Sequence, residues 1–283
     1  MPLQYKRQYE LLIGAAETGV RIVDMRIKFE ITKDLTGYPN LAKIDIFNLS
    51  KETRAKIETE FDSVIFNAGY VDNVRLLFKG EIRNVTHLKQ GVDTITTLFA
   101  YSGAKDFDTA KVNISFKEGT KVKNIVEHVI GSFKDVSHGI IEGLDDLGDK
   151  LQGVTLSGSS KDIMDNLASE NNFEWSINDG VIDVIPNDKT IDKTFVINGV
   201  TGMLGSPTIT EIGADVKSLL NPEYIPNGKI KIESLTQAVS LGDLNFRNIN
   251  KTIGEGLYKI QKVTHVGDTH ENQWDSTIVG VRL

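Results

Sequence analysis

Along residues 23–31 apolar and charged side chains alternate, with Val23, Met25, Ile27, Phe29 and Ile31 in one register and Asp24, Arg26, Lys28 and Glu30 in the other. Period-two alternation predicts a strand with one buried and one wet face. That belongs to an antiparallel barrel or sandwich, because strands of a doubly wound parallel sheet are buried on both sides. Further strands are expected at 43–49, 74–87 and 92–101, separated by the turn signals Thr36-Gly37-Tyr38-Pro39-Asn40 and Lys89-Gln90-Gly91. One short helix interrupts them: Ser50 precedes residues 51–57 as an N-cap able to satisfy first-turn amides, and Ile57 and Phe61 share a face.

The period changes after about residue 104. Within 119–133, Val122, Ile125, Val126, Val129, Ile130 and Phe133 recur at helical spacing and form one apolar stripe opposite Lys121, Lys123, Asn124 and Glu127. A second helix is expected after Ser159-Ser160-Lys161-Asp162, which resembles a capping box, with Ile163, Leu167 and Ala168 inward. Phe173, Trp175 and Ile177 then alternate with polar residues, Asn178-Asp179-Gly180 supplies a turn, and residues 181–185 return as the partner strand. This stretch reads as a compact α/β unit.

From Phe195 the β pattern resumes, at 207–212, 229–234, 257–266 and 274–283, with turns at Pro226-Asn227-Gly228 and Gly267-Asp268. The expected fold is mainly β with an α+β insertion. Its domains are 1–104 (first β domain), 105–196 (middle α/β domain) and 197–283 (second β domain). The two β parts also echo one another: Val85-Thr86-His87 leads through a turn to Asp93-Thr94-Ile95, and Val263-Thr264-His265 leads through a turn to Ser276-Thr277-Ile278. This points to an internal duplication.

Composition narrows the function classes. The 283 residues are 40% hydrophobic, enough for two or three cores, and contain no cysteine, which excludes disulfides, thiolate metal sites and cysteine nucleophiles. The net charge of −7 and the absence of a Lys/Arg block argue against stable nucleic-acid binding. The amino terminus has a short apolar stretch at Leu11-Leu12-Ile13, not the long apolar core of a signal peptide, and no later segment approaches a bilayer span. Synthesis in the cytoplasm without membrane insertion is expected.

Candidate chemistry is sparse, and no catalytic, cofactor or metal residue is assigned. His265, Asp268, His270 and Glu271 suggest a loop metal site, but their spacing matches no known ligand order, so solvent-facing hairpin residues are expected. His87, His128 and His138 are scattered. Glu142, Asp145, Asp146 and Asp149 lack the calcium-loop order and read as a solvated loop or helix face. The glycine-rich run 199–206 lacks the Lys-Ser/Thr ending of a phosphate loop and meets Pro207 where a helix should start. No Gly-x-Ser-x-Gly elbow or Ser-x-x-Lys box occurs. Trp175 and Trp274 sit on expected strands as core or interface residues.

The segment from Thr201 to Gly213, including Gly205-Ser206-Pro207, with Ser218-Leu219-Leu220-Asn221-Pro222 and Pro226-Asn227-Gly228, resembles bacteriophage tail baseplate hub proteins. Supporting stretches are Pro39-Asn40, Ile46-Phe47-Asn48-Leu49-Ser50, Ala68-Gly69-Tyr70, Phe78-Lys79-Gly80-Glu81-Ile82, and residues 263–269 ahead of Trp274. The resemblance implies a non-enzymatic structural subunit with two tube-like antiparallel β-barrel domains, related to the base of the type VI secretion spike. It implies a homotrimeric, pseudo-sixfold ring that joins a hexameric tail tube to a trimeric central spike, with DNA passing the lumen without specific binding. Tape-measure and baseplate wedge proteins are further candidate partners. The expected location is the virion tail baseplate, after assembly in the host cytoplasm. The alternatives are another tail-tip component, such as a distal tail or tube-initiator ring, and a tail-associated cell-wall hydrolase. No fused spike or lysozyme domain is expected after the Trp274 strand.

Overall fold

The computed structural model describes residues 6–15, 18–35, 37–141, 143–148, 152–210, 212–234, 238–239 and 256–283; Thr36, Glu142, Asp149 and Glu211, named above, lie outside this set. The chain is mainly β and divides into two compact units. One comprises Met1–Lys33, Leu41–Ala100 and Ile191–Leu283, and the other Asp34–Asn40 and Tyr101–Thr190.

In chain order the first part contains β1 (Arg7–Ala15), β2 (Thr18–Ile22), β3 (Ile27–Asp34), β4 (Leu41–Phe47), α1 (Lys51–Thr59), β5 (Ser63–Tyr70), β6 (Arg75–Gln90) and β7 (Asp93–Tyr101). Alternation is realised in β3, where Ile27, Phe29 and Ile31 are buried while Lys28 and Glu30 are exposed. The strand begins later than the pattern suggests: residues 23–25 bend, and Val23 is exposed. At that bend the Met25 carbonyl accepts from the Tyr9 hydroxyl, and Arg26 is engaged by Asp268. The cap of α1 forms as expected, Ser50 Oγ accepting from Thr53 N at 3.1 Å, with Ile57 and Phe61 both buried.

The middle part contains α2 (Ala104–Thr109), β8 (Lys111–Phe116), α3 (Val122–Ile130), β9 (Ser137–Ile141), a 3-10 turn (Leu144–Leu147), β10 (Val154–Ser159), α4 (Ser160–Asn171), β11 (Phe173–Asn178) and β12 (Val181–Pro186). The apolar stripe of α3 packs with Met164 and Leu167 of α4 and with Phe173, Trp175 and Ile177 of β11 in one core. Left-handed Asp179 and Gly180 make the tight turn from β11 to β12, as its residues require. The capping box is not realised: α4 starts after Ser159, whose side chain makes no cap hydrogen bond.

The last part contains β13 (Thr194–Ile197), β14 (Thr208–Ile209), β15 (Gly213–Leu219), β16 (Lys229–Ile232), β17 (Ala238–Val239), β18 (Gly256–Asp268) and β19 (Trp274–Arg282). Strands of the first unit join one 14-stranded sheet whose main path runs β17-β14-β15-β19-β18-β3-β4-β7-β6-β5-β1-β2, with β16 linking β13 to β18. The sheet is antiparallel at most pairings, whereas β13–β16 and β14–β17 are parallel. Two cores lie on it, one centred on Phe29, Phe66 and Phe78, the other on Tyr258, Ile230 and Ile278. Trp274 crosses to the first of these, its ring 5.2 Å from that of Phe29 and edge-on to it. Burying such aromatic and branched side chains stabilises by about 1.5–3 kcal/mol each.

Candidate functional site

The expected solvent-facing loop at 265–271 is corrected by the structure. His265 and Asp268 are both buried, and only His270 and Glu271 are exposed. His265 follows the alternation of β18, in which Val263, His265 and Gly267 all point inward. Its Nδ1 lies 2.8 Å from Ser276 Oγ on β19. Burial, reinforced by the nearby positive charge of Lys33, pushes its pKa well below the ordinary histidine value.

Asp268 is held by Arg26, whose Nη2 donates at 2.7 Å and Nε at 3.2 Å, and its Oδ1 accepts from the backbone N of His270 at 2.9 Å. Burial pushes the Asp268 carboxyl up; hydrogen bonds from Arg26 and from the His270 and Glu271 amides outweigh this and hold it below the usual range. Arg26 also pairs with Glu271, while Arg7 donates to the Asn272 carbonyl at 2.6 Å and lies over the Trp274 ring. Asp268 and Glu271 therefore belong to a structural clasp, in which two arginines from the first part hold the β18–β19 hairpin. Sequence reasoning missed both arginines. Arg26 stands in the wet register of an alternating stretch, and nothing local signals a partner so far along the chain.

The remaining candidates also have structural roles. Asp145 is exposed and pairs with Lys123 at 2.9 Å, consistent with a solvated face. The glycine-rich run is a turn built on Asn198, whose Oδ1 accepts from the amides of Val200 and Thr201 at 2.9 Å, and it feeds β14. His87, His128 and His138 lie on β6, α3 and β9, and among the described residues no group of three metal-ligating side chains converges. Trp175 and Trp274 are both core residues.

What the geometry does bring out is repetition. Across the sheet, β3-β4-β7-β6-β5 in the first part and β14-β15-β19-β18-β16 in the last part follow the same order, and chain order is permuted identically in both. Register agrees. Ile31 stands opposite Ala42, and Ile209 opposite Ala214, all four buried. After the second strand of each set, Asn48 N donates to Thr94 O at 2.8 Å, and Leu220 N to Trp274 O at 3.1 Å. In the hairpins, His87 Nδ1 lies 3.0 Å from Thr96 Oγ1 just as His265 Nδ1 meets Ser276 Oγ. The equivalent of Ser276-Thr277-Ile278 is thus Thr96-Thr97-Leu98, three residues beyond the match suggested by sequence. At the joint between the two sets β18 lies beside β3, with Thr32 Oγ1 3.4 Å from Thr264 Oγ1.

Comparison with known proteins agrees with this architecture. The family described as baseplate hub gp41 matches residues 15–243. No curated protein matches the chain by sequence. Among solved structures, the prophage MuSo2 43 kDa tail protein from Shewanella oneidensis aligns with TM-score 0.63 at 10% identity, covering 96% of each chain. The tail protein from Neisseria meningitidis MC58 aligns with TM-score 0.62 at 8% identity, covering 98% of this chain and 97% of that one. The E. coli c3393 protein, described as a type VI secretion component with structural similarity to T4 phage tail proteins gp27 and gp5, aligns with TM-score 0.62 at 14% identity, over 96% of this chain and 76% of that one. At these identities the structural likeness concerns the fold, and the family match carries the assignment: the chain belongs to the baseplate hub gp41 family of phage tail proteins.

Proposed function

We propose that three copies of the chain close into a pseudo-sixfold ring that joins the hexameric tail tube to the trimeric central spike and lets DNA pass. The repeated five-strand set carries this reading. A sixfold partner meets a threefold one without mismatch only where each adaptor subunit offers two near-equivalent surfaces, and an internal repeat supplies them. In this reading regions 1–104 and 197–283 are the two tube-like barrel domains. Region 105–196 holds a core of its own. The subunit is structural and not an enzyme, and its acidic balance favours a lumen past which DNA slides without sticking.

The test is the mass of the purified full chain, alone and mixed with a trimeric spike protein of the same tail. Three copies per particle are expected in at least one of the two conditions. A chain that stays single in both overturns the ring.

A further inference from the structure

The two sets of the repeat differ in one respect. β18 is paired along both edges: one edge follows β19, while the other pairs with β16 over 256–259 and then continues beside β3. Its counterpart β6 pairs with β5 over 75–81 and with β7, and among the described residues no strand continues along its outer edge. Burial reflects the difference. Thr86 and Leu88 are exposed, Leu88 at 62%, where their equivalents Thr264 and Val266 are half-buried, and His87 is half-buried where His265 is at 0%. An open strand edge of this length is a template for pairing.

The repeat names the partner. β18 pairs with β3, and β14 is the equivalent of β3, so the missing neighbour of β6 is a β14. The β14 of the same chain lies at the opposite end of the sheet path. Among the described residues its outer edge there carries only the short parallel strand β17, bridged at Thr208–Ala238 and Ile209–Val239. At the joint inside the chain Thr32 meets Thr264. Carried through the repeat, Thr32 becomes Thr210, which follows Ile209 as Thr32 follows Ile31, and Thr264 becomes Thr86, which precedes His87 as Thr264 precedes His265.

We propose that the outer edge of β6 at residues 84–90 pairs antiparallel with β14 of a second copy, taking the place β17 holds in the single chain and setting Thr86 against Thr210. The joint between copies then repeats the joint within each copy, and the same rotation closes the ring. β17 acts as a temporary cover that keeps the β14 edge from unspecific pairing until the correct strand arrives. This pairing rests on the ring reading above.

The chain contains no cysteine, so introduced thiols report without background. Thr86→Cys with Thr210→Cys in the full chain is expected to give, on mild oxidation, covalent species of two and three copies that resist denaturation and collapse on reduction. Thr32→Cys with Thr264→Cys is expected to cross-link within one copy; failure of that control removes the register on which the pairing rests. Each single variant is expected to stay at one copy. A particle of three copies in native mass measurement, with no bond between Thr86→Cys and Thr210→Cys, overturns the pairing and leaves the ring standing. A chain that stays single, alone and with the spike protein, overturns both.

Discussion

A histidine with no exposed surface, facing a serine hydroxyl and near a lysine, makes stability depend on pH in one direction. In the folded chain His265 is neutral, because burial and then the Lys33 charge oppose its protonation. In the unfolded chain it takes a proton near the ordinary value of about 6.5. The folded pKa is the depressed one, so the contribution is complete above about pH 6.5 and is lost as pH falls below it, at up to about 1.4 kcal/mol per pH unit. His265→Asn keeps a polar atom toward Ser276 and removes the titration. Denaturant midpoints measured between about pH 6.5 and 5 should fall less steeply for the variant than for the parent; parallel curves would show that His265 does not set the slope. Its inward orientation, which the reading of 265–271 as a solvent-facing hairpin missed, follows from its parity with Val263 on β18. The clasp of Arg7 and Arg26 was not legible, because an ion pair spanning nearly the whole chain leaves no local trace.

Among the elements, those with a clean period were legible: the stripe of α3 and the Asp179-Gly180 turn stand where the residues place them, and the alternation expected from Val23 is realised in β3 from Ile27 onward. Several strands were not recognised, among them β1, β2, β8, β9, β10, β5 and β15. In β5 the consecutive apolar residues Val64, Ile65 and Phe66 hide the alternation, and β15 is built largely from small residues, including Gly213, Ala214 and Ser218. Gly213 is there for close approach: a Cβ added to it would lie 1.8 Å from the Gly280 carbonyl oxygen. The turn at 36–40 was recognised as a turn but not for what it does. Asn40 is buried in the middle unit, donating to the Ile177 carbonyl at 3.3 Å and to Asn178 Oδ1 at 2.5 Å, while its own Oδ1 accepts from Asp34 N at 3.1 Å. Asn40→Ala leaves buried acceptors unmet and should destabilise that unit by about 2 kcal/mol. Unfolding followed by Trp175 fluorescence in a Trp274→Phe background measures this, since Trp175 belongs to the middle core. An unchanged midpoint would mean the turn contributes nothing to that unit.

At the scale of the whole molecule the sequence showed the repeat only as a three-residue echo, while the backbone shows it across five strands. The reason is physical: strand order is fixed by hydrogen bonds that every residue carries, so side chains diverge while the pairing persists. The asymmetry between β6 and β18 therefore has a dynamic consequence that no cross-link reads. Amides on an open edge exchange with solvent through small fluctuations, whereas amides paired on both sides exchange only when the sheet opens. Deuterium uptake over 263–268 should be slow at every protein concentration, because β3 covers that edge inside the chain. Uptake over 84–90 should be fast in dilute single chains. As copies associate it should slow toward the level of its counterpart, by about tenfold for each 1.4 kcal/mol of association. The segment near Thr208 should instead change little, since it exchanges one covering strand, β17, for another. Uptake over 84–90 that stays equally fast in the assembled ring would mean that this edge faces solvent there, and that the ring closes through a different surface.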